Sequence, residues 1–148
     1  MKPQYHVASS ALVAGILYLF FQSWSLSLSC LLSGIFIDVD HVYDYIREVG
    51  LSFRVKDFVN AVYTNNVIRW MVIFHSWELI FLLFLISWYT SWNPWITGIL
   101  FGFGHHLILD TLYIKERVWT YSFIWRWKNN FEFKTIYPNF VKKRAKFN

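Results

Sequence analysis

Gly98–Tyr113 reads GILFGFGHHLILDTLY, and this apolar stretch decides the fold. Read as a helix, it places positions 98, 102, 106 and 110 on one face, because residues four apart are neighbours on a helix surface. The glycines at the first two positions allow another helix to approach closely, as small residues do between membrane helices. His106 and Asp110 follow on that face and form an imidazole–carboxylate pair that suits a divalent metal. His105 lies about 100° round the helix, so we expect His106 to face Asp110.

The composition is typical of a membrane protein. Of the 148 residues, 56% are hydrophobic, 22% are aromatic and only 16% are charged, whereas about a quarter are charged in soluble domains. Lysine and arginine are absent from residues 4–46 and 70–114, and nine of the fourteen basic residues lie from Lys115 onward. Beside membrane spans, such a basic segment marks the cytoplasmic side, so no nucleic-acid partner is expected. The single cysteine, Cys30, excludes an internal disulfide and a multi-cysteine zinc site.

Four apolar runs predict four helices, at about residues 6–21, 25–48, 67–90 and 94–113. Short uncharged turns join the first to the second and the third to the fourth, so the helices run up, down, up, down. A short interfacial helix is expected at about 53–63, and a basic tail over 115–148. The chain is therefore predicted to be a single all-α domain, a polytopic four-helix bundle in the inner (cytoplasmic) membrane with both termini in the cytoplasm.

Polar residues fall at one depth in all four helices. One polar residue in each helix lies 13 to 15 residues from the short turn that joins this helix to its hairpin partner: His6, Asp38, His75 and His106. This places the four within about one helical turn of the same height. Ionisable groups in membrane helices normally face the bundle interior. Together with Asp110, they predict a shared metal site. The alternatives are a hydrogen-bonded structural network and separate contacts with lipid headgroups.

The residue types indicate the metal and the chemistry. Three imidazoles with carboxylates favour Zn²⁺, or failing that Mn²⁺, Fe²⁺ or Ni²⁺, as one or two ions. Asp110 could bridge two ions, and two-metal sites stabilise the attacking and leaving oxygens in phosphoester hydrolysis. Glu78 lies one turn beyond His75 and is the other candidate catalytic residue, as a proton acceptor or as an orienter of a ligand. Alternatively, Glu78 is a protonated carboxyl that only hydrogen-bonds to a neighbouring helix.

The order of the polar motifs resembles a known family. A histidine near the N terminus, Gly-x-x-x-Asp-x-Asp-His at 34–41, His-Ser at 75–76 and His-x-x-x-Asp at 106–110 are similar to the membrane-bound metal-dependent hydrolases of the YdjM type. That family itself resembles zinc-dependent phospholipase C and the S1/P1 nucleases. The resemblance implies His6, Asp38, His75, His106 and Asp110 as metal ligands, with Asp40 and His41 as further ligands or as supports of ligands.

The chain also departs from that family. Ile37 stands where the family usually has proline, and Ile68-Arg69-Trp70-Met71 replaces a frequent His-Arg pair. No histidine follows His106, so we expect one or two ions rather than the three of the soluble relatives.

We therefore expect a metal-dependent hydrolase that uses a metal-bound hydroxide on a phosphoester of a membrane lipid or lipid-linked substrate, at the cytoplasmic interface. The competing interpretation is a non-catalytic membrane protein whose His/Asp cluster binds or passes a metal ion, or only supports the fold. An open coordination position would favour the enzyme, and a closed tetrahedral site the structural role. A di-iron carboxylate bundle would need repeated Glu-x-x-His pairs, and only His75 with Glu78 comes near that pattern.

Overall fold

The computed structural model describes residues 3–50, 56–58, 69–139 and 141. Over these residues the chain is helical, with an isolated β-bridge between Arg69 and Glu132 and no strand, so the all-α prediction is confirmed. The helices are α1 (Pro3–Phe21), α2 (Trp24–Phe36), α3 (Val39–Val49), α4 (Trp77–Tyr89), α5 (Pro94–Ile114), a 3₁₀ turn (Val118–Tyr121), α6 (Phe123–Lys128) and α7 (Phe133–Ile136). The predicted interfacial helix at 53–63 lies outside the described residues except for 56–58, which are helical.

Capping side chains begin three of the long helices. Ser23 begins α2, Ser76 begins α4 and Asn93 begins α5, and each accepts the N–H of a residue two or three positions on, at 3.1–3.4 Å. These residue types are preferred there because their oxygens satisfy backbone donors that have no partner within the helix. Pro94 at the start of α5 adds a fixed backbone angle suited to the first turn. The caps leave only short turns between α1 and α2 and between α4 and α5.

Helices α2 and α5 pack along the glycine face predicted from the sequence. A Cβ atom built on Gly98 would lie 2.4 Å from the carbonyl oxygen of Leu26, and one built on Gly102 would lie 2.6 Å from that of Cys30. No real side chain fits at those distances, so only glycine lets the two backbones meet in this way. The close approach expected at these positions is confirmed.

The third apolar run becomes helical later than predicted. Helix α4 begins at Trp77, so the predicted start at 67 is wrong for residues 69–76, and 67–68 lie outside the described residues. The reason is that carboxylates of α3 take the backbone donors of this segment. Asp44 Oδ2 accepts the N–H groups of Met71 and Val72 at 2.7 and 2.9 Å, and Asp40 Oδ2 accepts that of Phe74 at 2.9 Å.

Residues 115–139, which follow α5, are folded against the rest of the chain. Phe133, Ile136 and Tyr137 are buried, and the Trp70 ring packs against that of Phe133 with centroids 5.3 Å apart. Trp77 Nε1 donates to the carbonyl oxygen of Val118 at 2.9 Å. The basic segment predicted as a tail is therefore folded over residues 115–139, because its aromatic side chains bury against the 69–76 segment. Residues 140 and 142–148 lie outside the described part of the chain.

Two helical segments are long and apolar enough to cross a membrane. They are Gln4–Phe21, and Trp24–Val49, which covers α2 and α3. In the most apolar 18-residue stretch of each, 22% and 39% of the residues are buried, a smaller share than in a core helix of a soluble protein, which is mostly buried. Helix α4 is a shorter apolar helix of 13 residues.

Candidate metal centre

The five residues expected to be ligands meet in one cluster. Asp38 Oδ1 lies 3.2 Å from His75 Nε2 and 3.4 Å from His106 Nε2. Asp110 Oδ1 lies 3.2 Å from His6 Nε2, and Asp110 Oδ2 lies 3.6 Å from His106 Nε2 and 3.8 Å from His75 Nε2. The rings of His6 and His106 stack with centroids 3.9 Å apart. Side chains from α1, from the α2–α3 junction, from the 69–76 segment and from α5 thus share one small volume.

The cluster divides into two groups, each of which could hold a metal ion. One group is His6, His106 and Asp110, and the other is Asp38, His41 and His75; within each, the possible ligand atoms lie within 4.8 Å of one another. His41 joins the second group through its Nε2, which lies 3.5 Å from Asp38 Oδ1. Asp38 also contacts His106, and Asp110 also contacts His75. The two groups are therefore neighbours with carboxylates between them.

Hydrogen bonds to the far side of two rings leave their inner nitrogens available. His106 Nδ1 donates to the carbonyl oxygen of Gly34 at 2.9 Å, and since a carbonyl only accepts, that nitrogen carries the proton. His75 Nδ1 bonds to Asp40 Oδ2 at 3.1 Å in the same manner. Both Nε2 atoms are buried and make no hydrogen bond of normal geometry within the described residues. In the neutral rings these Nε2 atoms carry the lone pair, which is the arrangement of a metal-ligating histidine.

Asp40 is expected either as a metal ligand or as a support of a ligand, and its contacts in the structure are those of a support. Its Oδ2 bonds to His75 Nδ1 and to the N–H of Phe74, on the side of the ring away from Asp38. Asp40 therefore orients His75 and is outside both candidate ligand groups. The reason is helical geometry: Asp40 and Asp44 lie four apart on α3, and that face covers the 69–76 segment.

Glu78 was expected to be catalytic, and its contacts place it elsewhere. Its carboxylate accepts from Ser122 Oγ at 2.5 Å and from the N–H groups of Phe123 and Ile124 at 2.8 and 3.2 Å. It therefore caps the N-terminus of α6. The alternative of a protonated carboxyl that bonds to a neighbouring helix is right about the neighbouring helix, but the carboxylate accepts all three bonds and needs no proton. Because α4 begins only at Trp77, Glu78 lies in its first turn and faces the C-terminal segment. As expected, His105 is in neither group, and its ring bonds to Ser10 Oγ at 3.2 Å.

Arg126 supports the backbone of His75, although it is not among the site residues expected from the sequence. Its side chain is fully buried, and it donates to the carbonyl oxygens of His75 at 2.7 Å and Val72 at 3.0 Å. Burial lowers the pKa of Arg126, and nearby Tyr137 and Asp40 oppose that change. The available signal was Trp125-Arg126-Trp127: an arginine between two tryptophans suits a buried guanidinium better than a solvated tail.

Comparison of the chain with models of protein families, with curated proteins and with solved structures gives no match. The resemblance to the YdjM-type hydrolases therefore stays a prediction. The function has to be argued from the cluster itself.

Proposed function

We propose that this chain is a four-helix membrane protein whose cluster holds two divalent ions, Zn²⁺ by preference, and hydrolyses a phosphoester of a lipid or lipid-linked substrate at the cytoplasmic interface. The proposal agrees with the resemblance of the sequence to the YdjM-type membrane-bound metal-dependent hydrolases. One observation carries the proposal: two buried imidazole nitrogens, His75 Nε2 and His106 Nε2, make no hydrogen bond of normal geometry within the described part of the chain and face the carboxylate of Asp38.

The donor set fits a small divalent cation. Zn²⁺ binds imidazole and carboxylate at about 2.0–2.2 Å, and ligands at tetrahedral corners then lie roughly 3.3 Å apart. The contacts of His6 with Asp110 and of His75 with Asp38, both 3.2 Å, match that separation. Each group supplies three ligands, the number found in catalytic zinc sites, which keep a fourth position open. Without a cation, the clustered carboxylates and buried rings would be costly to bury.

One side of the cluster is accessible. The Asp38 side chain is 35% exposed, whereas those of His6, His75 and His106 are 4% exposed or less. A headgroup could therefore approach at Asp38, which favours catalysis over a closed structural site. A divalent ion held there would lower the pKa of water from 15.7 to roughly 7 and so supply a nucleophile at neutral pH. Asp110 contacts rings of both groups, which suits it to lie between two ions.

The surface supports a membrane setting for the whole bundle. Large aromatic side chains are exposed near the two short turns: Trp24, Trp88, Tyr89, Trp92 and Trp95. A second exposed set lies at and beyond the other end of α5: Tyr113, Trp119 and Trp127. Two such sets suit the two membrane–water interfaces, where tryptophan and tyrosine are enriched. The second set adjoins the basic C-terminal segment, so we assign that end to the cytoplasm.

The test is metal-dependent turnover by the purified protein in detergent micelles. Bis(p-nitrophenyl) phosphate, p-nitrophenyl phosphate and a phospholipid serve as substrates, before chelation, after chelation and after addition of Zn²⁺. We expect chelation to abolish hydrolysis and Zn²⁺ to restore it. The Asp38→Asn variant should be inactive, and the His105→Ala variant should remain active. If metal is bound but none of these esters is cleaved, the protein binds or passes metal ions without hydrolysing esters.

A further inference from the structure

The segment that carries His75 is held from both sides by charged side chains. On one side, Asp44 and Asp40 accept its backbone N–H groups. On the other, the Arg126 guanidinium donates to its carbonyl oxygens, through Nη1 to Val72 and through Nη2 to His75. Apart from one turn bond, from the His75 N–H to the Val72 carbonyl, and a bond from the Trp70 N–H to the Phe131 carbonyl, charged side chains hold much of the backbone of this segment.

We propose that Arg126 is a positioning residue for His75, and that it sets the affinity of one of the two metal groups. The proposal rests on the metal centre described above. His75 reaches Asp38 from a turn in which its N–H bonds to the Val72 carbonyl at 3.1 Å. Arg126 spans the two carbonyls at the ends of that turn. It fixes the backbone of His75 while Asp40 fixes the ring.

The conformation of the turn explains why it needs external support. Val72 has a positive φ of 35°, in the left-handed region that β-branched residues avoid, and such residues persist only where their surroundings hold them. Both backbone polar groups of Val72 are bound, its N–H by Asp44 and its carbonyl by Arg126. Loss of Arg126 would leave the Val72 carbonyl with the His75 N–H alone and let the turn relax away from Asp38.

Arginine is required here for its geometry. Its planar fork presents two parallel donors, whereas the lysine ammonium is a single point charge on a flexible stem. Arg126 also donates through Nε to the Ser122 carbonyl at 3.4 Å, which ties the fork to the start of α6. A lysine at this position would retain the positive charge but could not span both carbonyls in the same way.

The effect should be confined to one group. The 69–76 segment supplies His75 to the group with Asp38 and His41, while the other group comes from α1 and α5 alone. Among the residues that the structure describes, the Arg126 side chain donates to Val72, His75 and Ser122, and none of these is in the other group. Substitution should therefore weaken one ion and spare the other.

The experiment is titration of metal-free protein in detergent micelles with Co²⁺ alone, followed by visible absorption and electron paramagnetic resonance. Wild type should bind two Co²⁺ ions that are magnetically coupled. Arg126→Met should bind the first ion as wild type does. It should bind the second ion roughly 10–100-fold more weakly, as is usual when a group that orients a ligand is lost. At one equivalent of Co²⁺ its paramagnetic resonance signal should be that of an uncoupled ion. Arg126→Lys should show the same selective loss. Arg117→Met, at an exposed arginine, is the matched control and should behave as wild type.

Each outcome is decisive. Equal weakening of both ions, or two unchanged ions, in a folded Arg126 variant would overturn the positioning role. If Arg126→Met does not fold, as judged by circular dichroism and gel filtration, Arg126→Lys decides the matter by the same criterion. If wild type binds no Co²⁺, the proposed metal centre itself fails, and that result is distinct from failure of the positioning role.

Discussion

Gly102→Ala should push α2 and α5 apart at the height of the metal centre. The added Cβ would lie 2.6 Å from the Cys30 carbonyl oxygen and 2.9 Å from the Gly34 nitrogen, and ordinary contact begins at 3.4 Å. Both are backbone atoms that no rotamer change can move, so the helices must separate locally by up to about 0.8 Å (3.4 less 2.6). Overpacking of this kind costs about 1–3 kcal/mol, of which the helix preference of alanine over glycine offsets about 0.5–1 kcal/mol.

The same displacement reaches the cluster. The Gly34 carbonyl oxygen accepts from His106 Nδ1 at 2.9 Å, and a shift of that size would take the bond beyond the usual 3.2 Å limit. We therefore expect Gly102→Ala to lower both the unfolding temperature and the affinity for Co²⁺.

Gly104→Ala is the matched control on the same helix, because nothing lies within 4 Å of a Cβ built there. Thermal unfolding followed by circular dichroism in one detergent should show a lower midpoint for Gly102→Ala only, by about 2–4 °C for each kcal/mol lost. Equal midpoints for the two variants would refute the close packing on which this reasoning depends.

The remaining predictions concern the ligands, the cap and the orientation. His106→Ala should lose at least one bound ion whereas His105→Ala keeps both, and the reverse result in metal analysis would mean that the helical register of the site is wrong. Glu78→Gln should keep both ions but lose about 0.5–2 kcal/mol of unfolding free energy, as for a lost helix cap; loss of metal with unchanged stability would restore its catalytic assignment. Gln22→Cys should react with an impermeant thiol reagent outside intact cells and Lys128→Cys only after permeabilisation, and labelling in the opposite pattern would contradict a cytoplasmic C-terminal segment.

The sequence predicts the parts of this protein that depend on regular helices. The four-residue spacing of Gly98, Gly102, His106 and Asp110 needs only helical periodicity, and the structure places all four on the face that meets α2 and the cluster. The common depth of the histidines follows from helix rise and short turns, so His6 and His106 could be expected to meet. The periodicity and rise of regular helices are therefore enough to identify the central residues of the site.

The parts that depend on side-chain bonds to the backbone could not be predicted in this way. Residues 69–76 are apolar enough to continue a helix, but Asp40 and Asp44 take their N–H groups, a long-range competition that periodicity does not reveal. The shift in the start of α4 then changes where Glu78 points. Arg126 lies in the segment predicted as a basic tail, and its burial depends on carbonyls supplied by a distant segment, which the local sequence does not reveal.

The central claim is that the His/Asp cluster holds metal, and the metal content of the protein tests it most directly. Elemental mass spectrometry would measure the metal content of two samples. One is wild type purified without chelators, and the other is the same protein after incubation with Zn²⁺ and removal of free metal. Two divalent ions per chain are predicted, falling to at most one in His106→Ala and unchanged in His105→Ala. A folded wild-type protein that retains no divalent metal under either condition would contradict the account.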